Sequence, residues 1–319
     1  MTQRTFPIAF GAAAMAALIT VPTTSADAQS GGAFTITESG QRFGSLQAAV
    51  DAVGNARATI SIAPGTYRQC AVQKGGAIRY VARTAGKVVF DSATCEGKAA
   101  LVLRGQSAEV SGLTFRNMRV GDGNGAGIRL EKGNLKVTQS WFDKSQQGIL
   151  TGNDPNGRIV IDKVTFSGLG TCEHSAGCAH SIYIGDYGSL TVTRSRFEKG
   201  AGGHYLKSRA ARNDVRASSF DDANGRSTNY MIDLPAGGTG VIRDNWFVQG
   251  RSKENYSAFI AVGAEQLLHR ADGLQIADNV ARFVPGLSRQ SVFVADWTGH
   301  NLKIGKNELA SGLKRYEKR

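Results

Sequence analysis

Two short strand-like runs, each headed by a histidine, lie 24 residues apart in the middle of this 319-residue chain. They are "HSIYIG", which begins at His180, and "HYLKS", which begins at His204 and leads to Arg209. Imidazole, phenol and amine groups transfer protons, and guanidinium and ammonium groups bind anions. Together these groups are suited to removing a weakly acidic proton beside a carboxylate, provided that the two runs lie side by side.

A repeated phrase predicts how the runs are arranged. An alternating apolar run ends in an aromatic or apolar residue at Phe115, Phe142, Phe166, Phe197, Phe220 and Phe247, and more weakly at Ala281 and Leu309. The strong copies are 27, 24, 31, 23 and 27 residues apart, and a second short strand precedes most of them. Short strands at this spacing, with Gly, Asn and Asp between them, predict an all-β solenoid, the parallel β-helix.

The segment before the repeats predicts a short capping helix. In "SLQAAVDAVG" one helical face carries Leu46, Ala49, Val50 and Val53, with Ser45 as the N-cap and Gly54 as the stop. A helix is expected at this point because the open end of a solenoid would expose its stacked core and strand edges.

The first 28 residues have the features of an export signal. Arg4 precedes the apolar run "FPIAFGAAAMAALITV", and "SADAQS" supplies a small-x-small cleavage site at Ala26-Asp27-Ala28. Cleavage would leave residues 29–319 as a single β-helix domain of 291 residues, which is 319 minus 28. No later stretch is apolar for long enough to span a bilayer. We therefore expect a secreted or periplasmic protein that is not inserted in a membrane after cleavage.

Four cysteines, an even number, favour disulfides in an oxidising compartment. Cys172 and Cys178 would close a short loop, and Cys70 and Cys95 lie 25 residues apart, about one repeat. No C-x-x-C pair supports a zinc site, so no metal ligands are predicted.

A net charge of +12 indicates attraction to polyanions. Patches of basic residues interleaved with aromatic residues, as nucleic-acid binding requires, are not evident. An exported protein meets acidic polysaccharides more often than nucleic acid, so we expect an acidic polysaccharide as the partner of a monomeric chain. The alternative is that the charge serves solubility alone.

The opening "SLQAAVDAV…ISIAPGTY" and the repeated phrase resemble the pectate-lyase-like superfamily of right-handed parallel β-helix proteins, over essentially the whole mature chain. The resemblance specifies the fold well and the reaction poorly, because such folds support many chemistries. The clustered acidic calcium ligands and the R-x-P-x-x-R run of pectate lyases are absent. The G-H-G and R-I-K segments of polygalacturonases are absent too, so Asp221 and Asp222 in "FDDANGR" are predicted to form a turn.

Stacking the repeats aligns the polar residues in two columns. With Ile182, Leu206 and Ile232 facing inward in register, one outward column is Tyr183, Lys207 and Asp233, and a second is His180, His204 and Tyr230. Adjacent coils lie about 4.8 Å apart, so each column brings three polar groups within contact or one-water distance.

These columns suit β-elimination on a uronate-containing glycan, which removes the proton on carbon 5 once the adjoining carboxylate is neutralised. Lys207 beside Arg209 and Arg212 is a candidate base, with His204 or Tyr183 as the acid. His180, Arg209, Tyr230 and Asp233 are predicted to bind the substrate. Asp233 argues against Lys207 as the base, because a carboxylate paired with Lys207 would keep the lysine charged.

The resemblance also implies roles for a lysine and an arginine, which alginate and chondroitin lyases of this superfamily take from neighbouring coils. Lys207 and Arg226, 19 residues apart, match those residue types. On this interpretation Arg226 neutralises the carboxylate. Arg209 and a calcium ion are further candidates for that role, and no other cofactor is expected.

Other interpretations stay open. The histidines would also serve as simple turn caps, and Lys207 and Asp233 as an exposed ion pair of little energy. The leading hypothesis is a secreted polysaccharide lyase. The alternatives are a noncatalytic glycan-binding or cell-envelope β-helix protein and a uronate C5-epimerase.

Overall fold

The computed structural model of the protein describes residues 1–2, 32–173 and 177–319. The export signal predicted for residues 1–28 therefore lies outside the described residues, apart from Met1 and Thr2. Among the residues that the structure describes, no helix has the length and apolar character needed to cross a bilayer.

The described chain contains one helix and 32 strands. In chain order they are β1 (Phe34–Ile36), β2 (Arg42–Phe43), α1 (Leu46–Val53), β3 (Arg57–Ile62), β4 (Gly65–Tyr67), β5 (Ala71–Gln73), β6 (Ala77–Ala82), β7 (Val88–Asp91), β8 (Ala99–Leu103), β9 (Ser107–Ser111), β10 (Leu113–Arg116), β11 (Ala126–Leu130), β12 (Asn134–Thr138), β13 (Trp141–Asp143), β14 (Gln147–Thr151), β15 (Asp154–Asp162), β16 (Thr165–Ser167), β17 (Ile182–Ile184), β18 (Tyr187–Thr193), β19 (Arg196–Glu198), β20 (Leu206–Ser208), β21 (Arg212–Arg216), β22 (Ser219–Asp221), β23 (Ile232–Leu234), β24 (Thr239–Arg243), β25 (Trp246–Gln249), β26 (Ala258–Val262), β27 (Gln275–Ala277), β28 (Val280–Phe283), β29 (Ser291–Asp296), β30 (Lys303–Ile304), β31 (Glu308–Leu309) and β32 (Leu313–Lys318).

From β3 onward, every third strand joins the same sheet, which makes the chain a three-sided parallel solenoid. Sheet A contains β3, β6 and each third strand to β30, with β1 and β2 added antiparallel at its first edge. Sheet B runs in the same way from β4 to β31, and sheet C from β5 to β32. The predicted all-β parallel β-helix is confirmed.

A ladder of phenylalanine rings fills the core beneath sheet B. The seven rings are fully buried and in register, and neighbouring centroids lie 4.7 to 5.7 Å apart: Phe90, Phe115, Phe142, Phe166, Phe197, Phe220 and Phe247. Ala281 and Leu309 continue the ladder in the last coils. The repeated phrase therefore marks one inward position per coil, and the alignment predicted from it is confirmed.

The corner between sheets A and B explains the polar residue that precedes each aromatic position. A single residue with positive φ turns the chain, such as Arg194 at 48° or Asp244 at 58°. A buried side chain follows it and bonds to the backbone of a neighbouring coil, as when Asn245 Nδ2 donates to the Val215 carbonyl at 3.0 Å. Non-glycine residues at positive φ cost about 1–2 kcal/mol each, which such bonds offset.

The capping helix α1 has the predicted bounds and buried face. Leu46, Ala49, Val50 and Val53 are buried on one side. The Ser45 hydroxyl accepts a hydrogen bond from the Ala48 N–H at 3.3 Å.

Both cysteine pairs form disulfides, Cys70–Cys95 and Cys172–Cys178. Cys70 precedes β5 and Cys95 precedes β8, so the first bond joins the connections that lead into neighbouring strands of sheet C. The second closes the short loop that the sequence suggested.

Candidate functional site

The outer face of sheet C carries the two predicted columns of polar side chains. Tyr183 pairs with Lys207, and Lys207 with Asp233, on β17, β20 and β23. In the second column the rings of His180 and His204 lie 4.8 Å apart, and those of His204 and Tyr230 lie 5.5 Å apart. The structure therefore brings these six residues together, and their roles stay a prediction.

Both histidines are buried in neutral form. His180 Nδ1 accepts the His204 backbone N–H at 3.0 Å, which leaves the proton of the neutral ring on Nε2. Burial, followed by the positive charges of Lys207 and Arg209, lowers the pKa of His180 to about 3. Burial, followed by His180 and Lys207, holds the pKa of His204 well below its usual range. The two tilted rings therefore form one buried wall of the site.

Asp233 lies beneath this wall with its carboxylate out of solvent. Its Oδ2 is 3.4 Å from His204 Nε2 and 3.5 Å from Lys207 Nζ. Burial raises the pKa of Asp233 to about 6, against the lowering effect of Lys207. Within the described residues, Asp233 Oδ1 and His204 Nδ1 are buried without a hydrogen-bond partner.

Lys207 is held between two carboxylates. Besides Asp233, its ammonium group donates to Glu265 Oε1 at 2.6 Å. The ammonium group is therefore already in contact with two carboxylates of the protein itself.

Tyr183 and Arg209 form the edge of the site. The Arg209 guanidinium lies 5.0 Å from the centre of the Tyr183 ring and donates both to the phenol oxygen and to the second oxygen of Glu265. Glu265 is a member that the sequence analysis missed. It lies on the long connection between β26 and β27, outside the repeated phrase.

A groove with a volume of about 550 Å³ opens beside this edge. Its polar and charged lining residues include Lys98, Asp122, Asn124, Arg129, Asn153, Tyr183 and Arg209. Arg129 points outward from β11 in the same column as Leu150 and Tyr183. Its Nε is buried and, within the described chain, has neither a hydrogen-bond partner nor a carboxylate paired with it. Sequence analysis missed Arg129, although its outward position in "AGIRLE" was a usable signal.

The sequence comparison now decides the family. The family described as the right-handed β-helix region matches residues 99–309, about two thirds of the chain, including the strands that carry the site. The chain belongs to the right-handed β-helix family. This confirms the hand implied by the pectate-lyase-like resemblance.

Other comparisons add little to this. A search of curated proteins finds no match to this β-helix. Among solved structures, it is similar to ORF18 of Geobacillus virus E2, with 14% identity and a TM-score of 0.49. That alignment covers 85% of this chain and 56% of the viral chain, so this chain spans a little over half the length of the viral protein.

Two arginines considered from the sequence lie away from the groove. Arg226 is an exposed residue in the connection that leads into β23. Its backbone N–H donates to the carbonyl of Gly200, which precedes Lys207 by seven residues. In the described parts of this β-helix, its side chain makes no hydrogen bond or ion pair with the other site residues. Arg212 belongs to sheet A, where it pairs with Asp214 at 2.9 Å. Neither arginine lines the groove.

The residues of the site do not fit a calcium ion. Calcium takes six to eight oxygen ligands, chiefly carboxylates and carbonyls. Asp233 and Glu265 are the carboxylates next to Lys207, and both are already paired with it. Within the described ranges, no group of three or more His, Cys, Asp or Glu side chains is placed to hold a metal.

Asp222 corrects the interpretation of "FDDANGR" as a plain turn. Asp221 does accept the Ala223 N–H at 3.0 Å, as a turn former would. Asp222, however, is fully buried and pairs with the equally buried Lys253 at 3.2 Å. Asp222 also accepts from the Tyr205 hydroxyl at 2.8 Å, which fixes the residue next to His204.

Proposed function

We propose that the protein binds an acidic, uronate-containing polysaccharide and cleaves it by β-elimination. The binding site is the groove lined by Arg129, Tyr183 and Arg209, called the sheet C groove below. The observation that carries this proposal is the pairing of Tyr183 with Arg209 at the edge of a groove in which Arg129 has no carboxylate partner among the residues that the structure describes. The net charge of +12 also attracts polyanions to the protein over long distances.

Arg129 is the group that would neutralise the substrate carboxylate. Its guanidinium has five donors in a planar fork, a geometry that matches a carboxylate. Other cations at the site already have partners, since Lys98 pairs with Glu131 at 2.8 Å and Lys207 with Glu265. Neutralising the carboxylate stabilises the negative charge that develops when the proton on carbon 5 is removed.

Tyr183 is the group that would move the proton. The Arg209 guanidinium donates a hydrogen bond to its oxygen. The deprotonated oxygen takes the proton from carbon 5, a double bond forms between carbons 4 and 5, and the glycosidic bond at carbon 4 breaks. Tyr183 then returns the same proton to the departing oxygen, so the tyrosine ends as it began.

The remaining members hold this edge in place. Lys207 lies 5.7 Å from the centre of the Tyr183 ring, and the edge of the His180 ring packs against Tyr183 at 5.5 Å between centroids. Such rigid support is what a proton-transfer group requires to keep its geometry.

A second candidate function is binding without cleavage. It is favoured by the state of the other proton-transfer groups, because Lys207 is held by two carboxylates and both histidines are neutral and buried. Tyr183 alone is then left for both proton steps.

We also propose that the protein works outside the cytoplasm as a monomer. Two disulfides support an oxidising compartment, as does the export signal predicted in the sequence.

The test is to incubate purified protein with several uronate polymers and follow the ultraviolet absorbance of unsaturated uronate. We expect new absorbance from the wild type and a loss of about 100-fold or more in Tyr183→Phe, with binding retained. Binding without new absorbance would support the noncatalytic candidate, and a changed uronate composition without absorbance would support the epimerase. Absence of binding to every polymer would overturn the proposal.

A further inference from the structure

The outer face of sheet B carries two widely exposed indole rings. Trp141 is 47% exposed and Trp246 is 48% exposed. They belong to one outward column, in which Trp141 is followed in successive coils by Thr165, Arg196, Ser219 and then Trp246. Four strand steps of about 4.8 Å separate the two rings by roughly 19 Å along the solenoid axis.

A groove with a volume of about 530 Å³ runs beside Trp246. One side is formed by the corner residues of four successive coils, Arg194, Ala217, Asp244 and Asp278, so the groove follows the axis of the solenoid. Ser219 and Trp246 lie on its other side. An elongated site of this kind fits a linear polymer better than a compact small molecule.

The column from Trp141 to Trp246 and the groove beside it form a strip on sheet B. The composition of this strip argues against a protein partner. Protein interfaces centre on a clustered, desolvated patch of anchors. Here the residues between the two indoles are a threonine, an arginine and a serine, so no continuous apolar centre exists. Two separated aromatic platforms joined by hydroxyl groups are suited to the ring faces and hydroxyls of sugars.

The cations along the strip are already neutralised by neighbours. Arg194 pairs with Asp162 at 2.6 Å, and Arg196 with Glu198 at 2.5 Å. Recognition here would therefore depend on ring stacking and hydroxyl contacts, with little contribution from ligand charge.

We infer that this strip of sheet B is a second polysaccharide-binding surface, which holds a linear chain along the axis by stacking sugar rings on Trp141 and Trp246. It is separate from the sheet C groove and does not depend on the function proposed for that groove.

Electrophoresis in native gels that contain polygalacturonate, alginate or a neutral β-glucan tests this inference at low and high salt. Salt screens the charge–charge attraction in the sheet C groove. At high salt we therefore expect the remaining retardation to come from binding at the strip. Trp141→Ala and Trp246→Ala should each weaken that retardation about tenfold, and Trp246→Tyr should restore much of it. Leu268→Ala, which removes an equally exposed apolar side chain elsewhere, should have no effect, and Arg129→Ala should lower binding only at low salt.

Three results would overturn the inference. The first is a wild type that no polymer retards at high salt. The second is a Trp141→Ala/Trp246→Ala double variant that is retarded like the wild type. The third is a wild-type dimer that the double variant converts to monomers, which would make the strip a contact between copies of the chain.

Discussion

At the scale of single residues, Glu265 pairs with two of the cations at the edge of the sheet C groove. Its carboxylate lies between Lys207 and Arg209, where the carboxylate of an acidic sugar would otherwise lie. Removing this negative charge leaves two cations to attract the substrate. We predict that Glu265→Gln binds a uronate oligosaccharide about three- to tenfold more tightly than the wild type, by isothermal titration calorimetry.

The matched control for this prediction is Glu109→Gln on sheet A. Glu109 is 43% exposed and paired with Arg79, against 44% exposure for Glu265. Equal gains in both variants would show that only net charge matters and would remove Glu265 from the site.

The buried histidines predict how stability depends on pH. Because the pKa of His180 is lowered from 6.5 to about 3, the unfolded chain binds more protons than the folded one between these values. The contribution of neutral His180 to the free energy of unfolding is fully present above pH 6.5. It is lost as the pH falls toward 3, by up to about 1.4 kcal/mol per pH unit. Asp233, with its pKa raised to about 6, acts in the opposite direction, adding stability below that value.

We predict that His180→Asn loses less stability than the wild type between pH 7 and pH 4, by urea unfolding at each pH. His300→Asn is the control, since His300 lies near the last coils, away from His180 and His204. The same loss in wild type and His180→Asn would contradict the burial of a neutral His180.

The predictability of the site differs from residue to residue. Tyr183, Lys207 and Asp233 were found because strand alternation and coil spacing determine one outward column. Glu265 was not found, because the step from Phe247 to Ala281 is 34 residues and the extra length has no periodic pattern. The role of Arg226 stays a prediction, because residue type and sequence distance do not tell which end of a strand a connection approaches.

At the scale of elements, the ring ladder holds the coils in register. Phe197 stacks between Phe166 and Phe220 at 4.7 Å on both sides and is fully buried. We predict that Phe197→Ala lowers the free energy of unfolding by about 3–5 kcal/mol, since it leaves a cavity that the flanking strands cannot close. Chemical denaturation measures this.

Its neighbour on β19 supplies the comparison. Arg196 is exposed, and we expect Arg196→Ala to change the free energy of unfolding by only about 0.5 kcal/mol. Similar losses in the two variants would contradict the role of the ladder.

Connections between strands were harder to predict than the strands. The repeated phrase located the ladder because burial on one face leaves a regular trace in the sequence. The buried Asp222–Lys253 pair left no regular trace in the sequence. Both residues lie in polar segments typical of turns, and they are 31 positions apart. Only the stacked coils bring them together.

At the scale of the whole molecule, the solenoid converts sequence repetition into extended faces. Sheet C carries the groove with Arg129 and Tyr183, and sheet B carries the strip with Trp141 and Trp246. The fold and its family were predictable from the sequence, because each coil repeats the same inward pattern. The proposed reaction was less predictable, since it depends on a few outward residues that the fold leaves free to vary.

The central claim is that Arg129 and its neighbours bind the carboxylates of an acidic sugar chain in the sheet C groove. Calorimetric titration of a uronate oligosaccharide into wild type, Arg129→Ala and Arg57→Ala at several salt concentrations tests it most directly. Arg57 is an exposed arginine on sheet A, so it matches the change in charge. We predict affinity that falls with salt, a loss of about tenfold in Arg129→Ala and no loss in Arg57→Ala. Equal affinity in all three proteins would contradict the claim.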